Sequence, residues 1–280
     1  MSVRSIPVVF ALVLALLGST AWYFLEQNSR NSFIYGGMPE RMESGWRHWY
    51  RVLRNDGFMV GYSDLRMNPL WATYWLQELT AEQKRQSYKR PGQFSEDWRT
   101  VWRVSHRDYT RSGYDRGHLA PNYAISRLYG KQAQTETFLM TNIVPQKPNL
   151  NRKVWQRLEE AAVDHFTGQF ARIAVITGPV FDQETERLDS WVEVPDAFYK
   201  IFVGLNRKGE AESMLAFLMP QNVRGSEPLT KFVVSVDQVE EVTGLNFFNA
   251  LPDSQEVKLE AMKDSSLWRL NDVARKPSRY

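Results

Sequence analysis

Residues 114–159 contain the side chains whose types and spacing are best suited to chemistry. His118 lies within the run Tyr114-Asp-Arg-Gly-His-Leu-Ala-Pro, and two amide-rich runs follow it, Thr141-Asn-Ile-Val-Pro-Gln and Pro148-Asn-Leu-Asn. An imidazole can accept a proton near neutral pH, an arginine can bind a phosphate, and amide oxygens can ligate a hard cation. Together these groups suit the hydrolysis of a phosphodiester by water with a divalent ion.

His118 is one of four histidines in the chain, and a single histidine is more often structural than catalytic. Its neighbours favour a catalytic role. Gly117 lets the backbone approach a ligand closely, Arg116 carries a charged fork that fits a phosphate, and Asp115 can order the arginine or the turn. We therefore expect His118 to act as a general base, provided that its ring is held neutral.

The sequence offers amides rather than a carboxylate and histidine cage for a metal ion. The available amides are Asn142, Gln146, Asn149 and Asn151. Because Mg²⁺ dehydrates reluctantly and keeps several waters, one amide oxygen together with phosphate oxygens can be sufficient. A magnesium site with a single protein ligand is therefore compatible with this segment.

Glu159 would share one broad helical face with Asn151, because positions i, i+4 and i+8 of a helix lie on the same side. It would lie about 12 Å further along the helix axis, and so suits holding a metal-bound water better than direct ligation. The alternative is structural: Asn149 caps the helix, Asn151 lies on the surface, and Glu159 pairs with a neighbouring lysine or arginine.

The composition indicates a folded chain with a weak overall charge. Of 280 residues, 43% are hydrophobic and 13% aromatic, which favours a single globular domain with a packed core over disorder. The net charge is only +3, but residues 81–116 contain nine basic side chains against five acidic ones. This basic run fits either a phosphate-binding groove or a solvated face. The absence of cysteine excludes disulfides, cysteine-ligated zinc and thiol nucleophiles.

The N-terminus carries an uncharged apolar stretch, residues 6–25. Twenty residues of helix just span the roughly 30 Å hydrocarbon layer of a bilayer. Trp22 and Tyr23 would lie in the interfacial aromatic belt, and the positive charge of Arg4 would keep the N-terminus on the cytoplasmic side of the membrane. A cleaved signal peptide is the rival, with residues 18–21 as the cleavage region. Either way the sequence predicts export, with the domain anchored at a bacterial inner membrane and facing the periplasm, or soluble or secreted after cleavage.

The elements predicted from periodicity and turn residues indicate an α+β fold, a mostly antiparallel central sheet flanked by helices. Asp56-Gly57 predicts a hairpin turn and Ser235 predicts a helix cap. The remaining predictions are strands at 71–76, 172–181, 197–205 and 213–218, a helix from Asn149 to about Thr167, and a peripheral C-terminus over the last thirty residues. The domain division is 1–25 as anchor or signal peptide, 26–40 as linker and 41–280 as the folded domain.

Three motifs resemble the DNA/RNA non-specific endonuclease family, which includes endonuclease G and the secreted sugar-nonspecific nucleases. They are Asp115-Arg-Gly-His-Leu-Ala-Pro, Thr141-Asn-Ile-Val-Pro-Gln, and Leu150-Asn151 with Trp155 and Leu158-Glu159. The likeness covers roughly residues 36–250. It implies a ββα-metal active-site motif and cleavage of DNA and RNA that leaves 5′-phosphate and 3′-hydroxyl ends.

The resemblance also implies roles for individual residues. His118 would be the general base that activates water, and Asn151 the single protein ligand of Mg²⁺, with Mn²⁺ as a substitute. Glu159 would bind a metal water, and Asn142 matches the family's amide near the active site. A further amide, Gln146, is expected to contact substrate.

Two arginines complete the expected site. Arg116 matches the motif arginine near the scissile phosphate. Arg90 is the nearest match to an upstream arginine that stabilises the transition state, with Arg85 and Arg99 as rivals. Both Arg116 and Arg90 are therefore expected to bind substrate.

An alternative function is a catalytically silent, membrane-tethered nucleic-acid-binding protein on the same scaffold. The presence of both His118 and Asn151 favours the enzyme, because a binding module needs neither. DNA and RNA are the expected substrates of the enzyme, or the expected ligands of the binding protein. Residues 6–25 are the expected membrane contact in both cases. The oligomeric state stays open, with a homodimer included.

Overall fold

The computed structural model describes residues 6–42, 45–182 and 186–279, with the side chains of residues 6–9 and 22 left aside. Arg4 and the Trp22 side chain, which entered the membrane prediction, therefore lie outside the described part. The helices are α1 Ile6–Asn31, α2 Ala81–Arg85, α3 Asn122–Thr137, α4 Gln156–Asp164, α5 Val236–Thr243 and α6 Asp253–Glu260. The strands are β1 Glu40–Arg41, β2 Arg51–Arg54, β3 Phe58–Ser63, β4 Asn68–Leu76, β5 Asp115–His118, β6 Ile143–Gln146, β7 Arg172–Val180, β8 Ala197–Leu205, β9 Ala211–Pro220, β10 Val233–Val234 and β11 Leu245–Asn246.

A seven-stranded antiparallel sheet forms the centre of the molecule, in the order β10-β9-β8-β7-β4-β3-β2. The hairpin predicted at Asp56-Gly57 joins β2 to β3, and Gly57 has the positive φ of +81° that such a tight turn requires. The predicted strands at 71–76, 172–181, 197–205 and 213–218 are β4, β7, β8 and β9. The α+β prediction, with its mostly antiparallel sheet, is confirmed.

The two faces of this sheet pack against different layers. Side chains of successive residues alternate between faces, so Phe198 and Phe202 of β8 point one way and Tyr199 and Ile201 the other. The first face packs against the layer that contains Trp155 and α4. The second face packs against α5, α6 and the apolar residues that follow β11.

A separate two-stranded sheet carries the histidine motif. In it β5 pairs antiparallel with β6, and His118 lies opposite Ile143. A π-helix, Leu150–Trp155, follows β6 and continues directly into α4. This strand, strand and helix sequence is the ββα arrangement that the motifs predict. Asn149 does not cap the helix as expected, because its backbone is already helical and its side chain makes no capping hydrogen bond.

The segment predicted as a linker, residues 26–40, is instead part of the folded structure. The helix α1 continues to Asn31, and Glu26 on its last turns forms an ion pair of 3.2 Å with Arg54 on β2. Beyond it Ile34 is buried in the second apolar layer. Apolar side chains in this stretch gain more from packing on the sheet than from staying in water, which overrides the Gly-Gly signal for a flexible connection.

The described side chains in the N-terminal part of α1, residues 10–21 and 23–25, are exposed. The helix contains an 18-residue window of mean hydropathy 1.3, none of which is buried, and within the described residues it is the helix long and apolar enough to cross a membrane.

The last thirty residues are not peripheral throughout. Trp268 and Leu270 are fully buried in the first apolar layer, and the Trp268 ring packs against Phe166 and Phe170 at centroid distances of 5.5 and 4.3 Å. The prediction was wrong because this segment, although mostly polar, contains a few large apolar side chains that pack in the core.

Candidate active site

A cavity of about 470 Å³ opens beside the ββα motif and gathers most of the predicted site residues. His118 contributes from the end of β5, Asn151 from the π-helix and Glu159 from α4. Arg90 and Arg116 also line it. Residues separated by as many as 69 positions in the chain therefore meet at one place.

His118 packs against two aromatic rings, Phe94 and Phe138, which also contact each other at a centroid distance of 5.0 Å. Its ring centroid lies 5.4 Å from that of Phe94 and 5.1 Å from that of Phe138. The Nε2 atom is buried and has no hydrogen-bond partner among the described residues. Burial, assisted by the positive charge of Arg90, lowers the pKa of His118 to about 3. The imidazole is therefore neutral at pH 7, which is the condition that a general base must meet.

Asn151 is oriented by a carboxylate. Its Nδ2 donates to Oδ2 of Asp115 at 3.0 Å, and Arg152 donates to both oxygens of the same carboxylate at 2.8 and 2.6 Å. Burial favours a higher pKa for Asp115, but the hydrogen bonds from Arg152 and Asn151 outweigh it and the net pKa is lowered. Asp115 thus orders the side chain of Asn151, and not that of its chain neighbour Arg116. The amide oxygen accepts no hydrogen bond from the described residues and remains available as a ligand.

Glu159 lines the cavity and also has a buried partner that the sequence reading missed. Nζ of Lys200, on β8, lies 3.6 Å from Oε1 of Glu159 and donates to the Tyr74 hydroxyl at 3.3 Å. The same Nζ lies 4.4 Å from the ring centroid of Trp155, and the Lys200 side chain has no exposed surface. Burial raises the pKa of Glu159 and lowers that of Lys200, and the opposite charge of each partner reduces the shift.

Lys200 could have been found from the sequence. It is the only charged residue in the apolar run 197–205, and a charge in the middle of a buried strand needs a partner. The structural alternative for Glu159, a pairing with a nearby lysine, is thus realised without removing Glu159 from the cavity.

The geometry favours Arg90 among the three upstream arginines. Its guanidinium lies 5.1 Å from the ring centroid of Phe138, the ring that packs on His118. Arg99 is instead bound to Asp97 at 2.6 Å and to Asn55 at 2.8 Å, and neither it nor Arg85 lines the cavity.

Arg116 lies at the rim of the same cavity. Its Nε donates to the backbone oxygen of His106 at 3.1 Å, which fixes the direction of the guanidinium. Arg152 and Arg279 line the cavity as well, so the rim carries four arginines. The basic rim is suited to a polyanion.

Asn142 was expected in the catalytic group, and here the prediction needs correction. Its side chain is fully buried, its Oδ1 accepts from the Ala120 backbone N–H at 2.9 Å, and its Nδ2 donates to the carbonyls of Ala120 and Thr137 at 3.0 Å each. The two bonds with Ala120 fix the turn that follows His118, and the bond to Thr137 joins this turn to the end of α3. Asn142 thus contacts the backbone beside His118 and does not line the cavity.

Gln146 was expected to bind substrate, and the structure corrects this as well. It is fully buried opposite Asp115 in the β5–β6 ladder and does not line the cavity. Its side chain packs on Gly117, where an added Cβ would lie 2.0 Å from Oε1 and 2.7 Å from Cγ of Gln146. The glycine before His118 is therefore required by close packing with Gln146.

Comparison with known proteins agrees with this geometry. The sequence model of the DNA/RNA non-specific endonuclease family matches residues 47–254. Human mitochondrial endonuclease G is 29% identical over 207 residues, which is 69% of this chain and 67% of that protein. The mitochondrial nuclease of Saccharomyces cerevisiae is 30% identical over 225 residues, 72% of this chain and 67% of that protein.

A bacterial relative and a solved structure extend the comparison. The nuclease of Serratia marcescens is 29% identical over 164 residues, 55% of this chain and 59% of that protein. The crystal structure of the EndoG/EndoGI complex superposes with a TM-score of 0.63 at 28% identity, covering 73% of this chain and 88% of that one. On the strength of the family match over residues 47–254 and the likeness of the fold, the chain belongs to the DNA/RNA non-specific endonuclease family and is a hydrolytic nuclease.

Proposed function

We propose that the protein hydrolyses phosphodiester bonds of both DNA and RNA with Mg²⁺, with water as the nucleophile and His118 as the general base. The single observation that carries this proposal is the meeting of a neutral imidazole, an oriented amide oxygen and a carboxylate in one cavity rimmed by arginines. A basic rim of this kind contacts the phosphate backbone rather than base edges, which supports low sequence specificity.

The donor set fits a hydrated magnesium ion. The amide oxygen of Asn151 is free of hydrogen bonds from the described residues and its orientation is fixed through Asp115, while Glu159 offers a carboxylate in the same cavity. Asn151 would hold the ion and Glu159 its water shell, with Mn²⁺ as a substitute. When bound, the ion would supply positive charge beside the phosphate oxygens.

The chain's own residues perform the remaining steps. Arg116 and Arg90 bind the phosphate, and Arg90 offsets the negative charge that develops in the transition state. Because Nε2 is buried, Nδ1 of His118 is the nitrogen that takes the proton from the attacking water. The bond from phosphorus to the 3′ oxygen breaks in line with the attack, leaving 5′-phosphate and 3′-hydroxyl ends.

An assay on plasmid, single-stranded DNA and RNA tests this function. The wild type should cut all three with Mg²⁺ or Mn²⁺, and His118→Ala should lower kcat by about 10² to 10⁴. Lys131→Ala, on α3 and outside the cavity lining, is the control and should cut at the wild-type rate. If the wild type leaves every substrate intact but binds it, the protein is a silent nucleic-acid-binding member of the family.

The unburied apolar surface of α1 supports a membrane anchor, with the catalytic domain in a bacterial periplasm. Deleting residues 1–25 should move the activity from the membrane pellet to the soluble fraction after detergent-free lysis and leave kcat within about twofold, because the cavity lies entirely downstream of residue 89. Sequencing of the mature N-terminus provides the contrary case: a start near Trp22 would indicate a cleaved signal peptide.

A further inference from the structure

A second charged centre lies on the face of the sheet opposite the catalytic cavity. It consists of Asp237 and Glu240 on α5 and Glu260 at the end of α6, and one carboxylate oxygen of each lies within 4.8 Å of the others. Helices α5 and α6 pack on the second apolar layer, whereas the residues around Asn151 pack on the first. This carboxylate triad is therefore separated from the catalytic metal site by the full thickness of the sheet.

Glu260 is the member of the triad that calls for a ligand. Only 5% of its surface is exposed, and its buried Oε1 has no hydrogen-bond partner among the described residues. A buried carboxylate without a donor or a counter-charge is costly. Glu260 nevertheless points its carboxylate at two other carboxylates.

The missing component is positive charge. In the described part of the chain no lysine or arginine forms an ion pair with any of the three triad residues, and Glu256 adds a fourth negative charge nearby. Burial raises the pKa of Glu260 to about 8 and that of Glu240 to about 7, and neighbouring carboxylates raise both further. A bound cation would remove this repulsion.

The ligand chemistry of the triad selects the class of cation. Each of the three carboxylates places one oxygen within 4.8 Å of the others, close enough to share one ion. Three protein carboxylates suit Ca²⁺, which takes about six to eight oxygen ligands, whereas Mg²⁺ keeps several waters and usually binds one or two carboxylates. Ca²⁺ also accepts irregular carboxylate geometry and completes its shell with water.

We propose that Asp237, Glu240 and Glu260 bind a calcium ion that ties α6 to α5. The backbone N–H of Phe247 donates to one oxygen of Glu240 at 2.7 Å, which orients that carboxylate and leaves its other oxygen for the ion. The site is structural: it joins two helices on the far face and takes no part in phosphodiester hydrolysis.

Calorimetric titration of CaCl₂ into chelator-stripped, full-length protein in detergent micelles tests this site. Asp237→Asn and Glu260→Gln should each weaken calcium binding at least about tenfold, since fewer ligand charges lower affinity. Glu241→Gln, an exposed carboxylate on the same helix, is the matched control and should bind as the wild type does. Asn151→Ala should keep this calcium site, and MgCl₂ should bind there more weakly.

Thermal unfolding provides a second measurement. Added CaCl₂ should raise the Tm of the wild type and of Asn151→Ala but not that of Glu260→Gln. Asp237 is exposed, so Asp237→Asn folds even if the buried substitution does not. Unchanged calcium affinity in Asp237→Asn, or the absence of any calcium binding by Asn151→Ala, would overturn the proposal.

Discussion

Two carboxylates, the partly exposed Glu159 and the buried Glu260, lie on opposite faces of the same sheet and differ in what balances their charge. Glu159 has Lys200 at 3.6 Å, a cation that β8 carries into the core. Glu260 has other carboxylates as its charged neighbours. The first arrangement is complete within the chain, and the second requires a partner from solution. The comparison indicates that the charged neighbours of a carboxylate, rather than its burial alone, decide whether it needs a cation from solution.

Removing Lys200 should leave Glu159, like Glu260, without a cationic partner from the chain. We expect this substitution to have the largest effect on stability. Lys200→Met leaves the Glu159 carboxylate without its cation and should lower the free energy of unfolding by about 3 to 5 kcal/mol. Denaturant unfolding in the presence of a chelator measures it. The double variant Lys200→Met with Glu159→Gln should recover much of the loss, because it removes the orphaned charge as well. If Lys200→Met is as stable as the wild type, the pair does not balance charge in the way proposed.

Glu260→Gln is the matched substitution on the other face. It has no cation to orphan, so in the presence of a chelator it should be at least as stable as the wild type.

Asn142→Ala tests whether satisfied polar contacts are what hold the catalytic face together. The substitution leaves the Ala120 backbone N–H without its acceptor and should cost about 1 to 3 kcal/mol in unfolding free energy. It should also lower kcat more than it changes KM, since it loosens the turn after His118 without touching substrate. Asn142→Asp can still accept from Ala120 and should keep part of the activity. If the variant is less stable but keeps the wild-type kcat, Asn142 contributes to the packing of the core and does not position His118.

The pH dependence of stability concerns His118, whose buried Nε2 has no hydrogen-bond partner among the described residues. Its pKa in the folded protein, about 3, is below the ordinary value, so the unfolded chain takes up the proton first. Stability from this group is fully present above about pH 6.5 and is lost as the pH falls towards 3. Chelator-treated wild type should therefore lose a few °C more of Tm between about pH 6.5 and 4 than His118→Asn, which cannot titrate. Equal losses would show that His118 does not titrate in this way.

The sequence predicted the parts of the molecule that are encoded locally. The Asp56-Gly57 turn and the Ser235 helix cap were predicted correctly because each is determined by a few adjacent residues. The His118 motif was identified for the same reason.

The features that the sequence did not predict depend on contacts between distant residues. Lys200 meets Glu159 only when β8 packs against α4, and Asn142 and Gln146 differ from Asn151 only in burial, which a list of amides does not reveal. The helix α3 was missed because Gly130, at φ +91°, breaks its periodicity, and the N-terminal segment was misread because its glycines outweighed Ile34.

The close packing of Gly117 on Gln146 limits which residues related proteins can carry at these two positions. An added side chain at 117 would collide with the Gln146 side chain, which has no exposed surface. A side chain at position 117 is therefore compatible only with a smaller residue at position 146. Related sequences that have lost the glycine should also have lost the glutamine.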